Sequence, residues 1–210
     1  KRDVLIADDF KKFIADTSSG LTNDEITQIF DNVRLAGSES DFAALHKVYG
    51  WMVCGVQFTP QDGLARMIPL IDFENPNKNI FRVVNQFTVE YTDNGQKENR
   101  RPDLLLFVNG MPLCVIELKN PADANATVYD AWEQINIRYW RDIPHLLHYC
   151  PLACISDGVK TRLGTVRTPY EHFYAWRRVK DGDKISTLPF AETETMIKGV
   201  YSSARFLEIF

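Results

Sequence analysis

The 210 residues contain no apolar run that approaches the roughly 18 residues of a membrane span, and no signal peptide is visible. No membrane association is expected. Cysteine is sparse: Cys54, Cys114, Cys150 and Cys154 are the only four, and none forms a Cys-x-x-Cys pair. A structural zinc site is not expected, and a reducing cytoplasm is the simplest setting. There is also no excess of positive charge. Lys and Arg number 24 against 28 Asp and Glu, a net charge of −4. A free-standing nucleic-acid binder draws its backbone affinity from Lys and Arg, so any contact with DNA would need delivery by something else. No phosphate-binding GxxxxGK[ST] loop occurs, and neither does an internal repeat or a low-complexity tract. The chain starts at Lys1 without a methionine and stops on the apolar segment 206–210. It reads as part of a longer polypeptide.

What is present suits a packed domain. Hydrophobic residues make up 45% and charged residues 25%, enough to build a core without disulfide or metal staples. Residues 1–55 read as helical. Ile6, Phe10, Phe13 and Ile14 recur at helical spacing. Thr22 followed by Glu25 is a capping-box start for a helix that buries Ile26, Ile29, Phe30 and Val33 and ends at Gly37. Ser40 opens a third helical stretch through Phe42, Leu45 and Val48.

From Val56 the pattern changes to short runs rich in β-branched and aromatic residues, at 64–73 and 80–91, with Asn75-Pro76-Asn77 between them. Asp93-Asn94-Gly95 is a turn. Runs 104–108 and 113–118 are joined around Asn109-Gly110, a strong hairpin signal. Residues 123–140 read as a helix with Val128, Trp132, Ile135 and Tyr139 on one face. A buried strand is expected at 151–156, closed by Asp157-Gly158, another strand at 173–179, and a final helix from about Thr193. Helices, a strand meander, a helix and a further strand imply an α/β or α+β fold. The expected organisation is a helical region 1–55, a core 56–190 and a C-terminal helix 191–210.

Within the hairpin lies Arg101-Pro102-Asp103, and fourteen residues after that aspartate, Glu117-Leu118-Lys119. On a strand Glu117 and Lys119 share a face. Burying a carboxylate and an ammonium there is costly unless the face opens on a cleft. A divalent metal beside a phosphodiester would explain the set. Hard oxygen ligands suit Mg²⁺, with Asp103 and Glu117 as ligands. The ion would polarise the scissile phosphate and lower the pKa of a bound water. Lys119 would orient that water or offset charge in the transition state. The hairpin sets a condition. With a plain two-residue loop, 103 lies opposite 116 and the two acids face opposite sides. A three-residue loop, 109–111, or an equivalent bulge brings 103 opposite 117. The three-residue loop or an equivalent bulge is therefore expected.

Pro102-Asp103…Glu117-Leu118-Lys119 resembles the PD-(D/E)xK nuclease motif. The longer text LIDFENPNKNIFRVVNQFTVEY…RRPDLLLFVNGMPLCVIELKNP is similar to the N-terminal nuclease domain of type I restriction enzyme R subunits. The similarity continues through Ala131-Trp132-Glu133-Gln134, Arg138-Tyr139, Ile143-Pro144 and Ile155-Ser156-Asp157-Gly158 to Arg162-Leu163-Gly164-Thr165, over roughly residues 56–180. The resemblance implies a restriction-endonuclease-like core, a mixed sheet flanked by helices. It implies Mg²⁺-dependent cleavage of double-stranded DNA after ATP-driven translocation, with ATP used by domains outside this chain. It also implies assembly with modification (methyltransferase) and specificity subunits. The family further carries Q-x-x-x-Y on the helix after the motif strand. Here Gln134 and Tyr139 are five apart, and residue 138 is Arg, so Tyr139 is displaced by one helical step, about 100°. An acid from an upstream helix often completes such sites; Asp72, Glu90, the acids of the first helix and a residue preceding Lys1 are the candidates.

Other features have plainer readings. His145 and His148 beside Pro144, and His172 next to Glu171, read as structural. Trp132, Trp140 and Trp176 read as core residues before they read as base-stacking platforms, and the basic strips at 160–167 and 177–180 as solvated surface. The rival to a nuclease is a non-catalytic docking or DNA-positioning domain on the same fold, or a related DNA-repair nuclease.

Overall fold

A computed structural model describes residues 3–36, 40–123, 126–186, 188 and 190–210. Three helices come first: α1 (Ala7–Thr17), α2 (Asn23–Ala36) and α3 (Asp41–Cys54). Phe10, Phe13 and Ile14 of α1 and Ile26, Ile29, Phe30 and Val33 of α2 are buried as their spacing requires. The capping box forms: Thr22 N donates to Glu25 Oε2 (2.7 Å) and Glu25 N to Thr22 Oγ1 (3.3 Å). Glu25 also accepts from Gln61 N (2.7 Å), tying α2 to the chain beyond α3. Gly37 lies outside the described residues. Ser40 is the N-cap of α3, whose buried residues are Ala44, Val48 and Met52, while Phe42 is 82% exposed.

Two short strands, β1 (Val56–Phe58) and β2 (Arg66–Ile68), pair antiparallel. Then follow β3 (Phe81–Asn85), the ribbon β4 (Val89–Asp93) and β5 (Gln96–Arg100), and the hairpin β6 (Leu104–Val108) and β7 (Met111–Leu118). A helical crossover leads to β8 (Leu152–Ser156) and β9 (Thr161–Thr165). The crossover comprises α4 (Val128–Glu133), a π-helical segment (Gln134–Tyr139), α5 (Trp140–Asp142) and α6 (Pro144–Leu147). The chain closes with α7 (Ala191–Val200) and α8 (Ser203–Leu207).

The central sheet has five strands in the order β3-β6-β7-β8-β9. Only β7 and β8 run parallel, and a parallel pair requires a crossover of the kind that α4 to α6 supplies. The fold is thus mixed α/β with helices on both faces. Odd and even residues of β7 point to opposite sides. Glu117 meets the α4–π helix on one face, and Cys114 meets Tyr201, which caps α7, on the other. One hydrophobic cluster runs from Val4 to Leu207 and joins the N-terminal helices to the sheet.

The structure departs from the sequence reading at several places. The crossover helix starts at Val128, not 123, because Thr127 and Asp130 form a capping box there: Thr127 N donates to Asp130 Oδ2 at 2.7 Å. No strand forms at 173–179. Tyr174 makes one bridge to Leu163, while Phe173 lies over Gly164, where a Cβ would strike its ring. The partner of β8 on that edge is β9. The final helix is interrupted at Tyr201 and Ser202.

Candidate active site

The hairpin decides where the two acids point. Val108 pairs with Met111 around the two-residue loop Asn109-Gly110, whose φ angles of 50° and 78° are those of a type I′ turn. The three-residue loop is therefore not formed. The register then shifts: Leu106 faces Cys114 and Phe107 faces Pro112, which leaves Leu113 as an extra residue, a β-bulge. Beyond it Leu104 faces Ile116, so Asp103 falls opposite Glu117. The bulge does what the longer loop would have done, and the two carboxylates share a face.

Glu117 is 2% exposed. Gln134 Nε2 donates to its Oε1, and Tyr139 donates its phenol to Oε2 at 3.0 Å. Gln134 Nε2 also reaches the Tyr139 hydroxyl (2.8 Å), and Gln134 Oε1 accepts from Lys119 Nζ (2.6 Å). Lys119 Nζ stands 4.0 Å from Glu117 Oε1. A single glutamine thus links the acid, the lysine and the tyrosine. Asp103 Oδ2 accepts from Leu118 N (2.8 Å) and Oδ1 from Gln86 Nε2 (2.9 Å). All five expected site residues, Asp103, Glu117, Lys119, Gln134 and Tyr139, come together.

The five-residue spacing of Gln134 and Tyr139 has a structural cause. The segment Gln134–Tyr139 is a π-helix, which closes i→i+5 hydrogen bonds. Residues five apart then stack on one face, as residues four apart do in an α-helix. The expected displacement of Tyr139 is absorbed by this wider turn.

Burial, followed by the charge of Asp103, pushes the Glu117 carboxyl up to about 8; a hydrogen bond with Asp103 acts in the same direction. The Tyr139 hydrogen bond and Lys119 oppose the rise. Burial raises the Tyr139 phenol far enough that it remains a donor. Two carboxyls on one face of the sheet, one of them deeply buried, form a place where a cation lowers the cost of ionising both. Their hard oxygen atoms fit Mg²⁺. Among the described residues no third acid joins them in a group of metal-holding size. Asp72 instead accepts from Asn75 N (2.8 Å), Asp9 is paired with Arg82 (2.7 Å), and Glu90 lies on the β4–β5 ribbon.

Gln86 was not singled out by sequence reasoning, although it stands in the quoted VNQF text. In the sequence it lies inside the run 80–91 and carries no local signal of its own; only the end of β3 at Asn85 sets it apart. Trp132, Trp140 and His148 bond to partners outside the site. Trp140 Nε1 donates to Val166 O (2.6 Å) under the Arg167 guanidinium, and His148 meets Asp41 (3.0 Å). Trp132 stacks with Tyr129, their ring centroids 5.4 Å apart.

Residues 1–172 match the family model described as the type I restriction enzyme R protein N terminus. The chain is similar to a putative type I restriction enzyme endonuclease subunit, MjaIXP, of Methanocaldococcus jannaschii, 30% identical over 227 residues that cover 99% of this chain and 21% of that protein. It is also similar to the HindI type I restriction enzyme endonuclease subunit of Haemophilus influenzae, 34% identical over 68% of this chain and 13% of the relative. The chain therefore corresponds to a minor part of the length of these relatives. With most of its residues matched by that model, the chain belongs to the type I restriction enzyme R protein N-terminal family.

Proposed function

We propose that this chain is the Mg²⁺-dependent DNA-cleaving domain of a type I restriction R subunit. It would hydrolyse phosphodiester bonds of double-stranded DNA after ATP-driven translocation by other domains of the subunit. Modification and specificity subunits would be its partners in the assembled enzyme. The observation that carries the reading is the placement of Asp103 opposite Glu117, with Lys119, Gln134 and Tyr139 bonded around the buried acid. The names of the relatives as endonuclease subunits support it.

Asp103 and Glu117 would hold the ion, which supplies Lewis-acid polarisation of the phosphate when bound. The lysine supplies a fixed positive charge beside the reacting phosphate, where non-bridging oxygens gain negative charge. Gln134 holds Lys119 and Glu117 at one spacing, and Tyr139 fixes the second oxygen of Glu117. In the hydrolysis, water oxygen bonds to phosphorus, one ester P–O bond breaks, water loses a proton and the leaving oxygen gains one. The net charge of −4 fits a cutter brought to DNA by the rest of its complex.

In the assembled enzyme, Glu117→Ala and Lys119→Ala should each lower Mg²⁺-dependent cleavage of circular DNA by at least about a hundredfold, the scale of losing one transition-state contact. ATP hydrolysis should persist in both. Cleavage equal to wild type would show instead a docking or DNA-positioning domain that keeps the fold.

A further inference from the structure

We propose that Gln86 is a positioning residue that fixes the Asp103 carboxylate for metal binding; this rests on the nuclease reading above. Gln86 follows the last residue of β3 and extends the row Gln86–Asp103–Glu117 across the sheet. It grips Asp103 twice. Its main-chain N–H donates to Asp103 O (3.0 Å) and its side-chain Nε2 to Asp103 Oδ1 (2.9 Å). Leu118 N–H occupies Oδ2 (2.8 Å). Each carboxylate oxygen thus has one fixed donor, and the plane of the group is set before any ion arrives. Each oxygen keeps a free lone pair for a ligand bond, since a carboxylate offers about four acceptor directions.

The backbone of Gln86 supports a functional reason for this arrangement. Its φ is 52°, in the left-handed region that a non-glycine residue enters at a cost. The residue is exposed, so its hydrogen bond adds little to folding stability. Strain held at an exposed position, in contact with a candidate metal ligand, matches the supporting contacts that orient ligands in metal sites. Removing such contacts typically weakens metal binding about 10- to 100-fold.

Gln86→Gly separates the two roles. Glycine accepts the positive φ without strain but lacks the amide. The measurements are the Mn²⁺ affinity of the 210-residue chain by isothermal titration, with Mn²⁺ as an oxygen-liganded substitute for Mg²⁺, and the melting temperature. The expected result is a melting temperature at or above that of wild type with Mn²⁺ affinity lower by about tenfold or more. A Gln86→Gly chain that binds Mn²⁺ as tightly as wild type overturns the positioning role alone. A wild-type chain that takes up no Mn²⁺ overturns the metal-site reading, and this inference with it.

Discussion

At the scale of single residues, Asn109 shows how a turn residue becomes a structural hub. The sequence marks it as half of an Asn-Gly turn, and its φ of 50° agrees. Its side chain is fully buried and does much more. Nδ2 donates to Leu70 O (2.9 Å) and Asn79 Oδ1 (2.8 Å), and Oδ1 accepts from Ile80 N (2.8 Å). The hairpin that carries both acids is thereby anchored to the loop before β3. Asn109→Ala leaves those partners unsatisfied and replaces a residue that tolerates positive φ with one that tolerates it less well, so about 3–5 kcal/mol of stability should be lost. Asn109→Gly loses the same amide but accepts the positive φ without strain, and should recover only about 1 kcal/mol of that. Urea titration of the two variants separates the terms; an Asn109→Gly chain as stable as wild type would limit the buried amide to the roughly 1 kcal/mol that glycine's backbone returns.

At the scale of elements, the π-helical segment makes a direct prediction. A π turn is an α-helix carrying one extra residue, and the flanking turns keep their register. Ile137 is half exposed and lies between Gln134 and Tyr139. Deleting it leaves Q-x-x-x-Y in α-helical spacing, with the downstream residues of α5 where they were. The melting temperature should hold or rise by ~2–4 °C, the shift expected for about 1 kcal/mol in a chain of this size, and cleavage by the assembled enzyme should survive. Loss of the fold would mean that the wide turn is itself required. Local sequence made most other elements legible. The helices α1 and α2 and the strands β6 to β8 carry strong periodicity or apolar runs because each buries one face or both. The strand β5 carries no such pattern, since it pairs only with β4 and every residue but Arg100 is exposed. At 173–179 strand-like composition was misleading: the tertiary demand was for Phe173 to cover Gly164, which one bridge satisfies. In the site, the acids and lysine were readable from spacing. The β-bulge and the π turn were not, because each inserts one residue without a compositional mark.

At the scale of the whole molecule, the β4–β5 ribbon is held to the crossover by charge. Asp142, buried in α5, accepts from Arg141 Nε (2.7 Å) and Arg100 Nε (2.7 Å). The hydrogen bond from Arg141, then that from Arg100, lowers its carboxyl below the usual range against an opposing effect of burial. A depressed folded-state pKa gives stability that is present above the unfolded value, near 3.9, and lost as pH falls through the folded value. The melting-temperature gap between wild type and Asp142→Asn should therefore be full at pH 6 and narrow below about pH 4. A gap constant across that range would assign the stabilisation to neutral hydrogen bonding. The bulge at Leu113 has a consequence for how the length of such a chain can change. Between Asp103 and Glu117 a gain or loss of one residue reverses the side of the sheet on which one acid stands. A change of two does not. Functional variants of this hairpin should accordingly differ in even steps, or exchange an odd step for the gain or loss of a bulge.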